Sequence, residues 1–87
     1  MNSAQSTPVL ADDAVPLSTL ACGRCARVQE ARIDRDLAQY LRAIGMTLSS
    51  RFQVCQAGDP CIVQVQATRI GLSGSVARRI FVVPVGD

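Results

Sequence analysis

The residues best suited to chemistry in this chain are four cysteines, Cys22, Cys25, Cys55 and Cys61. Cys22 and Cys25 form a C-x-x-C step in the stretch "ACGRC". A tight turn can bring sulfurs three residues apart to one tetrahedral ion, and Gly23 eases such a turn. A closed zinc site needs a second pair, for which only Cys55 and Cys61 are available. An antiparallel meander would place all four near one end of the fold. Side-chain alternation works against their convergence. Phe52 and Val54 read as inward-facing, which turns Cys55 outward; Gln64 and Gln66 read as outward, which puts Cys61 on the core side with Val63 and Val65. Only a bulge or an early end to pairing would let both thiols face one ion. The metal reading therefore falls on Cys22, Cys25 and Cys55 as an open site for zinc or iron. In it Cys22 and Cys25 form the half-site, completed by Cys55, by solvent ions or by a second copy, the last giving a metal-bridged homodimer. A thioredoxin-like dithiol would sit at a helix N-terminus, whereas "CGRC" precedes a strand. The plain alternative makes Cys61 a small core residue and the others reduced thiols, with no cofactor required.

The rest of the composition removes other chemistry. There is no histidine, the commonest metal ligand and general base. No Gly-rich phosphate loop, Ser/His/Asp set or carboxylate pair occurs. A chain of 87 residues folds as one small domain that buries only about 60% of its unfolded surface. That leaves little body for a substrate cleft, so the chain reads as non-enzymatic. All nine basic residues are arginine and the net charge is +2, which makes the surface mildly basic. With only Tyr40, Phe52 and Phe81 as aromatics there is no stacking platform, and nucleic acid is not an expected partner. The start "MNSAQSTPVLADDAVP" lacks the basic and apolar regions of a signal peptide, and "IFVVPV" is too short to span a bilayer. The expected location is the cytoplasm, without membrane insertion.

These residues must be positioned by a small set of elements. Residues 1–16 are small, polar and marked by Pro8 and Pro16; they read as a flexible tail, with the ordered domain spanning 17–87. "ARVQEA" (26–31) alternates as a first strand. Leu37, Tyr40, Leu41 and Ile44 then fall on one helical stripe, with Asp34 as N-cap and Gly45 at the C′ position. "RFQVCQA" (51–57) and "CIVQVQA" (61–67) alternate around the turn "GDP" (58–60) and form a hairpin. "RIGL" (69–72) is a fourth strand, "SGSVA" (73–77) a tight or single helical turn, and "RRIFVVPV" (78–85) a fifth strand that Pro84 ends. The class is mainly β: a five-stranded SH3-like antiparallel barrel with a helical insertion between strands 1 and 2.

The pieces "LSTLACG" (17–23), "LAQYLRAIGM" (37–46), "FQV" (52–54), "GDP" (58–60) and "IGLSGSVARRIFV" (70–82) occur in that order. Their order and spacing resemble the FeoA family, small accessory proteins of bacterial ferrous iron transport. Two positions depart from the family pattern: Leu48-Ser49 where Pro-Gly is usual, and Ser73 where Arg is frequent. The cysteines lie outside that pattern. The resemblance implies a cytosolic SH3-like adaptor that binds and modulates the GTP-dependent transporter FeoB, peripheral to the inner membrane. Arg78 and Arg79 are the candidate contacts to such a partner. The alternative class is a small thiolate metal-binding module built on Cys22 and Cys25.

Overall fold

A computed structural model describes residues 14–48 and 50–86. The chain runs β1 (Val15–Pro16), a 3-10 turn (Leu17–Thr19), β2 (Cys25–Val28), a second 3-10 turn (Glu30–Arg32) and helix α1 (Arg35–Ala43). It continues as β3 (Arg51–Gln56), β4 (Cys61–Val65), β5 (Thr68–Leu72), the one-turn helix α2 (Gly74–Ala77) and β6 (Phe81–Pro84). All strands pair antiparallel in one sheet, ordered β1-β6-β2-β3-β4-β5. The two edges approach one another because α2, which follows β5, packs on the 3-10 turn that follows β1. The result is the small SH3-like barrel with a helix inserted after its first long strand.

The core follows from the strand period. Ala26 and Val28, Phe52 and Val54, Val63 and Val65, and Ile70 and Leu72 alternate inward. They close around Leu17, Leu41, Met46, Ile80 and Val82, each completely buried, and among the described residues no polar side chain is buried. Burying a large aliphatic side chain contributes ~1.5–3 kcal/mol, so this cluster dominates the stability of so small a body.

Helix α1 has the expected ends. The Asp34 carboxylate accepts a bond from the Leu37 N–H at 2.7 Å. At the other end Gly45 adopts φ +96°; its N–H donates to the Arg42 carbonyl and the Met46 N–H to that of Leu41. That is a Schellman closure, and Met46 is carried into the core.

Several boundaries and one helix face differ from the expected ones. The ordered body begins before Leu17: Ala14 is buried, and Val15 and Pro16 pair with Val82 and Phe81 as a sixth strand. The expected tail therefore overlaps β1, and its residues 1–13 lie outside the described ones. β2 stops at Val28, because Glu30–Arg32 turn and the Arg32 guanidinium lies 4.5 Å over the Phe81 ring. β4 ends at Val65; the turn to β5 uses Gln66 at φ +56°, without the glycine or asparagine that usually marks one. On α1, Tyr40 is 46% exposed, and the buried stripe is Leu37, Ala38 and Leu41, with Ile44 partly covered. The small Ala38 lets the helix settle on its own side and turns Tyr40 to water.

Candidate functional site

The C-x-x-C turn is tied to the neighbouring strand. The Gly23 N–H donates to the Val54 carbonyl at 2.7 Å, and the Val54 N–H to the Arg24 carbonyl at 2.9 Å. Two residues of the turn thus face one of β3, with Gly23 at φ +95°. This brings Cys22 beside the end of β3, where its thiol donates to the Cys55 carbonyl at 3.1 Å. The β3–β4 register slips between Val54 and Gln56, so Cys55 sits on a bulge. Its sulfur lies 3.9 Å from both the Gln53 carbonyl and Gln64 Oε1. Cys25 opens β2 opposite Gln53 and is half-buried.

Alternation thus places Cys61 as expected. It is 2% exposed in the core, and burial pushes its thiol pKa up. The bulge that could have rescued a four-thiol site does exist, but it turns Cys55 toward Gln64 and leaves Cys61 inside. Among the described residues no three His, Cys, Asp or Glu side chains gather as a ligand set. Cys22 is exposed, Cys25 and Cys55 are half-buried, and all are free thiols.

Two shallow surface depressions, each about 280 Å³, meet at Cys25 and Gln53. One continues to Gly23, Arg24 and Val85, the other to Arg51, Gln64 and Gln66. Amides, guanidinium groups and one thiol line them together with the apolar Val85 and Phe52.

The two candidate partner contacts lie elsewhere. Arg78 and Arg79 are not on a strand; they follow α2 in the turn into β6. Arg79 reaches Asp34 Oδ2 at 3.2 Å, joining that turn to the helix cap. The bond from Leu37 N–H, supported by Arg79, holds the Asp34 carboxyl below the ordinary aspartate range. Arg78 is exposed.

A different arginine group escaped sequence reading. Arg27 on β2, Arg51 on β3 and Arg69 on β5 all point outward, opposite the apolar faces of their strands. Pairing register sets Arg27 directly across from Arg51, and Arg69 across from Gln64. The described carboxylates lie on other parts of the fold. Glu30 pairs with Arg42 at 3.1 Å, Asp34 with Arg79, and Asp59 accepts from the Gly74 N–H at 3.0 Å. The alternation of β2 and β3 makes these arginines visible as outward residues; only the register makes them neighbours.

The last of those contacts explains two separated motifs. The "GDP" turn, in which the Asp59–Pro60 peptide is cis, reaches the start of α2. Asp59 and Ser73 divide the free N–H groups there, Ser73 accepting from Val76 at 3.2 Å.

Comparison with known proteins covers the whole barrel. A family model describing the FeoA domain matches residues 15–84. A crystal structure of the iron uptake regulatory protein FeoA superposes with a TM-score of 0.70 at 27% identity, covering 83% of this chain and 97% of that one. A manganese-dependent transcriptional repressor gives a TM-score of 0.70 at 26% identity, but this chain spans only 41% of it. The solution structure of FeoA from Chlorobium tepidum has the same fold, with a TM-score of 0.70 at 21% identity over 83% of this chain and 71% of that one. Among curated protein sequences none matches.

Proposed function

This chain belongs to the FeoA domain family, and from that premise we propose that it is a non-enzymatic accessory protein of bacterial ferrous iron transport. It acts in the cytoplasm by binding the cytosolic side of a FeoB-type transporter and modulating its GTP-dependent transport. The observation that carries the reading is the extent of the match: residues 15–84 run from β1 to the end of β6, the entire barrel. The likeness to the FeoA crystal structure spans nearly all of that chain, whereas less than half of the repressor is covered. The surface is suited to contact rather than turnover, since its depressions are open and their linings are spread over three strands. Among the described residues no helix is long and apolar enough to cross a membrane.

The test is a pull-down of the cognate FeoB-type transporter with the purified chain, run separately on its G domain and its membrane core. Retention of one part, with ferrous iron uptake altered when the chain is deleted, is the expected result. No retention of either part, together with stoichiometric zinc or iron lost in a Cys22→Ser/Cys25→Ser variant, would replace the adaptor reading by that of a thiolate metal module.

A further inference from the structure

Arg27 and Arg51 face each other across the β2–β3 pair. Like charges in that relation destabilise a sheet, and folded sequences normally relieve them with an opposite charge nearby. Here no salt bridge reaches either residue among the described ones. Arg51 has only a bond from one Nη to the Gly86 carbonyl at 3.3 Å. Arg69 extends the same outward face and is held by Gln64, with its Nε 3.4 Å from Oε1. Between these cations lie Gln53, Gln64 and Gln66, and no carboxylate projects from β2, β3, β4 or β5. Among the described residues no acidic side chain compensates this charge.

We propose that the outward face of β2–β5, centred on Arg27 and Arg51, is the docking surface for a carboxylate-bearing face of a protein partner. Guanidinium groups present planar paired donors that match carboxylates, and the interleaved glutamines supply donors and acceptors for backbone groups of such a partner. The face holds no exposed aromatic ring on which a base could stack, which disfavours single-stranded nucleic acid. Among the described residues it has no exposed large apolar side chain to insert into a bilayer, which disfavours a lipid surface. Arg79 has its carboxylate already, in Asp34, so the turn at Arg78 and Arg79 offers less free charge. The proposal rests on the reading of the chain as a partner-binding accessory protein, and it names the surface.

Backbone amide shifts of the full chain during titration with a hexaglutamate peptide test the surface without the transporter. Shifts should centre on the strands that carry Arg27, Arg51 and Arg69, and affinity should fall as salt is raised. Arg27→Ser/Arg51→Ser should weaken binding about two- to thirtyfold at low salt, as expected for two exposed charge pairs. Arg78→Ser/Arg79→Ser should leave it unchanged. Because both residues are exposed, the double variant should remain folded; Arg27→Glu, which places an acid opposite Arg51, should raise the melting temperature and serves as a second variant. Shifts centred on Arg78 and Arg79, or equal affinity in the double variant, would overturn the proposal. So would binding to phosphatidylcholine/phosphatidylglycerol vesicles that depends on Arg27 and Arg51 in the absence of peptide binding. The transporter pull-down separates the two readings. A wild-type chain that fails to bind the transporter, yet maps the peptide to this face, refutes the transporter partner alone. Equal retention of the wild-type chain and the double variant refutes the face alone.

Discussion

Replacing Gly74 by alanine probes how the "GDP" turn is joined to α2. A Cβ at Gly74 would stand 3.1 Å from both Cγ and Oδ2 of Asp59 and 3.2 Å from its Cβ. Contacts that short require Asp59 to give by a few tenths of an ångström, which strains its bond with the Gly74 N–H, now 3.0 Å. A carboxylate capping a helix N–H contributes about 1 kcal/mol, so Asp59→Ala should cost roughly that amount. Gly74→Ala weakens the same bond, but alanine recovers about 0.4–1 kcal/mol over glycine by restricting the unfolded chain. Gly74→Ala alone should therefore change stability by less than about 0.5 kcal/mol. In an Asp59→Ala background the obstacle is gone, and the same alanine should stabilise by about 0.5–1 kcal/mol. The expected coupling between the two sites is about 1 kcal/mol, read from urea denaturation of the four proteins. Thermal scans should show it as a difference of about 4–8 °C. Effects that add to within about 0.3–0.5 kcal/mol would refute the claim that Gly74 exists to admit Asp59.

Four further outcomes are expected. Gly45→Val should cost about 1–2 kcal/mol by thermal melting, because space around a Cβ there is open and the penalty is the positive φ alone. Asp34 has a folded pKa below its unfolded value, so its contribution is complete above about pH 4 and declines as pH falls through the folded value; Asp34→Asn should flatten the acid limb of the stability profile while keeping a cap. In a disulfide-reagent assay on the native chain Cys22 should react first and Cys61 only on unfolding, since the former is exposed and the latter lies in the core with its thiol pKa raised. A chain starting at Leu17 should melt below one starting at Ala14, because it lacks the strand that pairs with Val82 and Phe81.

Much of this molecule was legible in its sequence wherever the signal is local. The helix announces itself through period and caps: Asp34 and Gly45 need only their own neighbours to act, and both act as expected. Alternation along "RFQVCQ" and "CIVQV" sorts each residue to a face because a strand has period two whatever its partner, and so Cys61 could be assigned to the core. The order of the motifs sufficed for the FeoA family. Tertiary structure decided what depends on residues distant in the chain. Val15–Pro16 is too short for any pattern and is a strand only because β6 offers it an unpaired edge. The slip at Cys55 breaks the alternation that the sequence shows and turns this thiol toward Gln64. Tyr40 lies at the margin of the helical stripe, and only the fit of Ala38 against the barrel turns it to water. The facing of Arg27 and Arg51 depends on how far β2 and β3 slide across the helix between them, a register that periodicity cannot supply, since every slide by two residues preserves the same faces.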